Sequence, residues 1–209
     1  NEQYGLLSTY GGRTNIPVVF DDLVITSSVT TGWGDLALPA HRFIAFNKLT
    51  GEPVWINGTR LRPEDTTYST PFLTAFNGEA AMVFGSSDGA VWAFQPRTGK
   101  PIWHFQVSRR GLNASPVVSR EGVVYMGNAE ENLDNQSMGA IVAVDGNQKG
   151  DITKSAELWR QDGMVSRTSL ALYDGRLYAG DDGAKLFIFD AITGEPVGKP
   201  VKLVGTILR

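Results

Sequence analysis

Arginine residues recur in the polar segments that separate the repeated stretches of this chain of 209 residues: Arg13, Arg60, Arg62, Arg109, Arg110, Arg160, Arg167 and Arg209. A guanidinium group binds a carboxylate or a phosphate through two parallel N–H donors. If the fold brings these segments together, the side chains form a positive collar that suits a small anionic ligand or an acidic protein surface. Four of them are the expected contacts of such a ligand or partner: Arg13, Arg62, Arg110 and Arg167.

The arginines also admit a structural interpretation, in which they hold neighbouring segments in register. In that case they hydrogen-bond to the backbone or pair with carboxylates that lie close to them in the chain: Glu64, Asp65, Glu157 and Asp162. The sequence leaves both interpretations open, because it does not show which charges become neighbours in space.

Two segments are longer than their counterparts elsewhere in the chain, and long loops on a repeated scaffold commonly carry function. The segment VTTGWGDLALPAHRF (29–43) contains Trp33 on a glycine-flanked tip and His41. The segment AEENLDNQSMG (129–139) contains three carboxylates: Glu130, Glu131 and Asp134. We expect all five residues to contact a partner or ligand, although either loop can instead fold over its own repeat. Carboxylate oxygens also suit calcium, but the spacing is not that of an EF-hand loop, and no metal site is predicted.

Several classes of function are excluded or disfavoured by composition. The chain has no cysteine, which excludes disulfides and thiolate chemistry, and its formal net charge is −3, which disfavours nucleic acid as a partner. No apolar run is long enough for a membrane-spanning helix. No Ser/His/Asp arrangement, phosphate-binding glycine loop or HExxH motif is visible, so no catalytic residue is predicted.

The strands that position these residues are predicted from an eleven-residue sequence motif that the chain repeats, which we call the phrase. It reads AFNKLTGEPVW at 45–55, AFQPRTGKPIW at 93–103 and IFDAITGEPVG at 188–198. The first two copies begin 48 residues apart, at positions 45 and 93, and the third begins at about twice that distance further on. A degenerate copy, AIVAVDG (140–146), fills the gap, with its tryptophan delayed to Trp159 by the insertion NQKGDITKSAEL.

Each copy of the phrase follows two short β-branched runs that are joined by a tight turn, such as Asn77-Gly78 or Asp174-Gly175. The phrase supplies a third strand and, after its glycine turn, a fourth, while no segment shows a helical period. Four strands per unit, repeated at 40 to 50 residues, predict the blades of a β-propeller. We therefore predict an all-β fold with about four four-stranded antiparallel blades, at approximately 14–57, 68–107, 113–161 and 167–200.

The phrase Ala-x-(Asp/Asn/Gln)-x-x-x-Gly-x-x-x-Trp resembles the tryptophan-docking motif of the PQQ-like repeat family. This family comprises the propellers of quinoprotein dehydrogenases and related non-enzymatic, BamB-type members. The resemblance covers nearly the whole chain and implies that six residues serve blade-to-blade packing: Trp55, Trp103, Trp159, Gly51, Gly99 and Gly194. The fourth copy departs from the motif, because Gly198 stands where the tryptophan is expected.

Propellers of this family usually have seven or eight blades. The chain is therefore expected to be part of a larger propeller, and the alternatives are a half-ring that forms a homo-oligomer with another copy and a closed ring of four blades.

Two functions from different classes follow from the resemblance. One is a non-catalytic scaffold that binds a protein or ligand without a cofactor, as BamB-type assembly factors do, in a periplasmic or other extracytoplasmic location. The alternative is a dehydrogenase of alcohols or sugars, or a fragment of one, that uses PQQ and calcium. Such enzymes typically hold the quinone against a vicinal disulfide, which this cysteine-free chain cannot form. We therefore expect the scaffold.

Overall fold

The computed structural model describes residues 16–29, 41–60 and 67–204, and within them the chain forms seventeen β-strands and no helix. The expected all-β architecture is confirmed. None of the described residues belongs to a helix that is long and apolar enough to cross a membrane.

The strands form four antiparallel sheets that follow one another along the chain. The first contains β1 (Val18–Phe20), β2 (Leu23–Val29), β3 (His41–Asn47) and β4 (Pro53–Gly58). The second contains β5 (Phe72–Phe76), β6 (Glu79–Gly85), β7 (Ala90–Phe94) and β8 (Pro101–Gln106). The third contains β9 (Val117–Val118), β10 (Val123–Glu131), β11 (Met138–Asp145) and β13 (Glu157–Asp162). The fourth contains β14 (Ala171–Tyr173), β15 (Arg176–Gly180), β16 (Lys185–Asp190) and β17 (Val201–Lys202).

The remaining strand, β12 (Gly150–Asp151), comes from the insertion that delays Trp159, yet it joins the second sheet and not the third. It pairs in parallel with the outer strand β8, so that Gly150 lies opposite Trp103. The amide of Ile152 then donates to the carbonyl of His104 at 3.0 Å. Because an exposed outer strand offers unpaired backbone groups to other chains, this insertion protects one edge of the second sheet.

The hydrophobic core lies between consecutive sheets rather than inside any one of them. The alternation of β-strand side chains sends successive residues to opposite faces, and each inner sheet therefore packs against both neighbours. In the second sheet, Met82 and Phe84 face the first sheet, while Ala81 and Val83 face the third. A third cluster joins Ile141 and Ala143 of the third sheet to the fourth. Neighbouring sheets thus bury each other's faces, as blades do.

Trp55 and Trp159 lie against glycines of the next sheet. A Cβ atom built on Gly99 would lie 2.7 Å from Cδ2 of Trp55, and one built on Gly194 would lie 2.7 Å from Cε3 of Trp159. Each indole also donates its Nε1 hydrogen to a carbonyl in the same turn, that of Pro96 at 3.1 Å and that of Ala191 at 3.0 Å.

A second polar contact accompanies each of these indoles. Asn57 and Gln161, two residues after Trp55 and Trp159, donate their side-chain amides to the carbonyls of Gly99 and Gly194. The two distances are 2.7 and 2.9 Å. The packing geometry therefore consists of an indole on a bare glycine with two flanking hydrogen bonds.

Trp103 packs differently from Trp55 and Trp159, because the turn that it faces, in the third unit, is different. It is 1% exposed and belongs to a cluster that includes Val124 and Val142 of the third sheet. Its Nε1 atom is buried without a hydrogen-bond partner among the described residues. The glycine of the degenerate phrase, Gly146, is covered by the ring of Phe76 instead. Here burial in the core replaces the glycine contact.

Substitution of Gly99 by alanine tests what the indole contact contributes to stability. Gly99 and Gly51 occupy equivalent turns with φ of +68° and +74°, but no atom of the described residues lies within 4 Å of a Cβ built on Gly51. Gly51→Ala should cost about 1–2 kcal/mol because of the left-handed backbone alone. Gly99→Ala should cost a further 1–3 kcal/mol or so, because the new methyl group displaces Trp55. Urea unfolding of both variants measures the difference, and equal losses would show that Trp55 does not need a bare glycine.

Candidate functional site

Most of the predicted contact residues lie at one edge of the sheets, which we call the loop face. In an antiparallel sheet, the connection from the second to the third strand and the connection to the next sheet emerge at the same end. The loop face therefore includes residues 86–89, 107–116, 132–137, 163–170 and 181–184. Three of the predicted contacts, Arg13, Trp33 and Arg62, lie outside the described residues.

The long loop of the third unit contains fewer residues in the structure than the sequence analysis assigns to it. Glu130 and Glu131 belong to the end of strand β10, where an irregularity in pairing separates Asn128 from Glu131, and only residues 132–137 connect it to β11. Asp134 is exposed at the tip of this connection. The two glutamates are thus held by the sheet and do not lie on a free loop.

Two buried asparagines fix the shape of this loop. The Asn128 side chain accepts a hydrogen bond from the amide of Glu130 and donates one to Oδ1 of Asn132, at 3.0 and 3.1 Å. Asn132 in turn donates to the hydroxyl of Ser137 at 2.9 Å and to the carbonyl of Gly139 at 3.0 Å. A satisfied network of this kind gives the loop one defined shape.

The two glutamates pair with different arginines. Oε2 of Glu131 lies 3.0 Å from Nε of Arg110 in the connection between the second and third sheets. The adjacent Arg109 donates to the carbonyl of Leu133 at 2.9 Å. Both side chains of the pair remain about half exposed, so this ion pair lies on the surface of the loop face.

Arg167 lies in the connection between the third and fourth sheets and is less exposed than Arg110. Its guanidinium donates to Oε1 of Glu130 at 3.1 Å and to a carboxylate oxygen of Asp182. The three side chains are 26%, 16% and 26% exposed. Arg167 therefore bridges two carboxylates across the boundary between two sheets.

Two further arginines of the predicted collar are also paired. Arg160 lies 2.8 Å from Glu157 and 3.9 Å from Asp162, two of the four carboxylates that the structural interpretation names. Arg60 lies 3.9 Å from Asp88, a buried carboxylate that also accepts from the indole of Trp92 at 3.0 Å.

Carboxylates thus face each of the four arginines Arg60, Arg110, Arg160 and Arg167. The charges of the described arginines are largely compensated, so they do not sum to an open positive ring. Their role in binding a ligand stays a prediction.

His41 lies at the loop-face end of the first sheet, but its side chain is not exposed there. It is the first residue of strand β3 and is completely buried between the first and second sheets, beside the rings of Phe43 and Phe84. Its Nδ1 atom lies 3.2 Å from the hydroxyl of Ser86, while its Nε2 atom has no partner among the described residues. The expectation that His41 lies in a loop is wrong, because the residue begins a strand and its side chain follows the inward alternation of that strand. Contact of His41 with a partner stays a prediction.

Burial determines the protonation state of His41. Because the charged imidazolium cannot be solvated there, desolvation lowers the pKa of His41 from 6.5 to about 3. The imidazole is thus neutral near pH 7. Although Ser86 and His41 form a hydroxyl–imidazole pair, both side chains are fully buried, and a substrate has no access to them.

The described residues contain no group of three or more histidine or acidic side chains arranged to hold a metal ion. Glu130 and Glu131 turn to different arginines, so their oxygens do not converge on a common point.

The sequence interpretation missed a row of hydrogen bonds between the inner strands. The amide of Thr70 donates to the hydroxyl of Ser115 at 2.9 Å, and the amide of Ser115 donates to the hydroxyl of Ser169 at 3.1 Å. These residues occupy the same position at the start of three successive units. The signal was the small polar residue that precedes each first strand, and its regular recurrence could have identified the contact.

Comparison with protein families identifies the family to which this fold belongs. Residues 8–199 match the model of the family described as outer membrane protein assembly factor BamB. No curated protein sequence matches the chain.

Solved structures share the fold at low sequence identity. BamB from Moraxella catarrhalis has a TM-score of 0.63 at 16% identity, over 87% of this chain and 50% of BamB. Quinohemoprotein alcohol dehydrogenase from Comamonas testosteroni has a TM-score of 0.65 at 18% identity, over 93% of this chain and 35% of the enzyme. A europium-containing methanol dehydrogenase has a TM-score of 0.65 at 14% identity, over 92% of this chain and 42% of the enzyme. The chain thus spans half or less of the length of these propellers, and the likeness shows a β-propeller fold.

The buried histidine predicts a specific loss of stability in acid. Since the folded pKa of His41 is about 3 and the unfolded value is about 6.5, the unfolded chain takes up a proton first as the pH falls. Stability is therefore complete above pH 6.5 and declines from there towards pH 3. Between pH 7.5 and pH 5, His41 alone should remove about 2 kcal/mol.

His41→Asn is the control for this effect, because the amide can keep the hydrogen bond to Ser86 without titrating. Urea unfolding at several pH values should show a smaller acid loss in the variant by about 2 kcal/mol at pH 5. His104, whose pKa is also lowered by burial, titrates in both proteins and cancels in the comparison. Identical pH dependence of the two proteins would contradict the assignment.

The two glutamate-paired arginines should differ in their effect on stability. Arg167→Gln leaves the carboxylates of Glu130 and Asp182 half-buried and unpaired, and should cost about 1–3 kcal/mol. Arg110→Gln breaks an exposed pair with Glu131 and should cost about 0–1 kcal/mol. Urea midpoints of the two variants measure the contrast. Equal and small losses would show that Arg167 is not a structural bridge.

Proposed function

Since the chain belongs to the family of outer membrane protein assembly factor BamB, we propose that it is a non-catalytic β-propeller scaffold that binds a protein partner on its loop face. The observation that carries this proposal is the prebuilt shape of the third-unit loop. Its backbone is held by Asn128 and Asn132, and its flanks are held by the ion pairs of Arg110 and Arg167. A surface that is ordered before binding loses less conformational entropy when a partner docks.

The exposed part of the loop has the chemistry of a protein-binding surface. Met138 is 41% exposed at the start of β11, and the charged groups of Arg109, Arg110 and Asp134 surround the loop. Methionine and arginine are enriched at protein interfaces, where an apolar anchor is bordered by a polar rim. Because the arginines already face carboxylates or carbonyls, a protein surface suits this site better than a small anion does.

Family membership supports a location and a kind of process. The matching family is described as outer membrane protein assembly factor BamB, and this resemblance supports a periplasmic or other extracytoplasmic location. The chain spans 50% of the BamB structure to which it is similar. The predicted contacts Arg13, Trp33 and Arg62 belong to the same proposal, as further parts of the binding surface.

A PQQ-dependent dehydrogenase is the competing function, because enzymes of that class share the fold. The described carboxylates do not converge on a metal position, and the chain contains no cysteine for a vicinal disulfide. We therefore derive no catalytic step.

A matched pair of exposed hydrophobic residues tests the proposed surface. Met138 lies at the loop face, whereas Ile192 lies in the turn between the third and fourth strands, at the opposite end of its sheet. A photo-crosslinking amino acid at position 138 should capture one defined protein in cells, and the same group at position 192 should not.

Binding of that protein, once purified, should weaken by about tenfold or more in Met138→Glu and stay unchanged in Ile192→Glu. Equal effects of the two substitutions would contradict a site on the loop face. Oxidation of alcohols or sugars in a dye-linked assay, after addition of PQQ and Ca²⁺, would overturn the scaffold proposal altogether.

A further inference from the structure

The four methionines of the chain, all among the described residues, differ sharply in exposure. Met82 and Met126 are fully buried between sheets and Met164 is 7% exposed, whereas Met138 is 41% exposed on the loop face. The third sheet has a neighbour on either side, so this exposure belongs to the loop face and not to an uncovered end sheet. An oxidant in solution therefore reaches the sulfur of Met138 more readily than the other three.

Met138 lies beside an ion pair. It is the first residue of β11, and its Cα partner on β10 is Glu131. Paired residues of an antiparallel sheet project from the same side, with Cβ atoms about 5 Å apart. Nε of Arg110 donates to Oε1 of Glu131 at 3.3 Å. The Met138 side chain therefore projects next to the pair formed by Arg110 and Glu131, within the proposed partner surface.

The second sheet shows what an oxygen acceptor at this position does. Residues 88 and 138 are equivalent, because each lies five residues before the motif alanine and directly before a glycine of positive φ. Residue 88 is an aspartate, and a carboxylate oxygen of Asp88 lies 3.9 Å from Nε of Arg60. Arg60 follows the outer strand of the first sheet, just as Arg110 follows that of the second. An acceptor here thus faces an arginine of the preceding connection in the second unit, where the third unit has a methionine.

We propose that Met138 is an oxidant-sensitive modification site whose oxidation changes the loop face. A peroxide transfers one oxygen atom to the thioether: an S–O bond forms, the O–O bond breaks, the sulfur loses two electrons and water leaves. The sulfoxide oxygen then accepts from a guanidinium N–H of Arg110, much as Asp88 faces Arg60 in the second unit. The inference rests on the proposed function in one respect, that Met138 is an apolar anchor for the protein partner.

Oxidation removes this anchor while the sheets stay packed. A thioether is apolar, whereas a sulfoxide is polar and carries a strong hydrogen-bond acceptor. Burial of that acceptor against an apolar part of a partner is unfavourable. Because the methionines of the core are protected from solvent, the change is confined to the surface. The modified chain therefore keeps its fold and loses affinity for its partner.

The first test needs no partner. The full chain is treated with hydrogen peroxide and digested, and the oxidised fraction of each methionine is read by mass spectrometry. Met138 should oxidise about tenfold or more faster than Met82, Met126 and Met164. In urea that unfolds the chain, all four should react at similar rates. Equal rates in the folded chain, or faster oxidation of Met164, overturn the inference.

The second test follows the side-chain Nε–H signal of Arg110 by NMR, assigned by its loss in Arg110→Gln. Peroxide should shift this signal in the wild type and leave it in place in Met138→Leu, whose side chain is apolar and of similar size but has no sulfur. The urea midpoint of the wild type should not change with peroxide. A signal that does not move in the wild type, or that moves equally in both proteins, overturns the pairing with Arg110.

The closing experiment measures binding of the protein captured at position 138, after peroxide has been removed. Oxidation should weaken binding to the wild type by about tenfold or more, and the two methionine sulfoxide reductases should restore it. Whatever its own affinity, Met138→Leu should bind equally before and after peroxide. Full binding by the oxidised wild type, or a loss in peroxide-treated Met138→Leu, overturns the inference.

Failure of the proposed function gives a different result. In that case Met138→Glu binds the partner as tightly as the wild type does. The selectivity of oxidation and the Arg110 signal are measured without a partner, so they still decide whether Met138 is the modification site.

Discussion

The architecture depends on contact between a flat indole and a glycine that has no side chain. A tryptophan buries on the order of 200 Å² when it is covered, but its ring can approach the backbone of the next sheet only where no Cβ intervenes. At Gly99 and Gly194 an added Cβ would clash with the ring of Trp55 or Trp159, because it would lie less than 3 Å from the nearest ring atoms. The same glycines adopt the left-handed backbone that closes the turn. One residue type therefore satisfies a turn and an interface at once, which explains why the phrase recurs as a unit.

Much of this could be predicted because it is local and repeated. The phrase predicts the third strand, the turn and the fourth strand, and β-strand alternation then assigns Ala45 and Trp55 to the same face. The features that could not be predicted depend on the positions that inserted segments take in the fold. The delay before Trp159 gave no indication that Gly150 and Asp151 pair with the second sheet. His41 was read as part of a loop because the segment before it is long, yet it begins a buried strand.

The ion pairs of the loop face were also only partly predictable from the sequence. The sequence shows that arginines recur between units, but not which carboxylates reach them. For Arg160 the partners are close in the chain, Glu157 and Asp162, and chain proximity was sufficient to name them. For Arg167 they are Glu130 and Asp182, from two different sheets. Such pairs exist only once the sheets are packed. The geometry of the loop face therefore depends on the packing between the sheets.

The end sheets distinguish a repeat protein from an ordinary domain, because each has one face that no further repeat of the described chain covers. The two ends are not equivalent. The first sheet keeps the backbone of a covered turn, with the positive φ of Gly51 and the hydrogen bond from its amide to the carbonyl of Asn47. The fourth sheet has lost the tryptophan and replaced the small alanine with Ile188. Gly198 cannot donate the hydrogen bond that an indole provides, and Ile188 is larger than the alanine of the first two copies. Among the described residues, the contact that joins Trp55 to the Gly99 turn and Trp159 to the Gly194 turn therefore has no counterpart that starts from the fourth sheet.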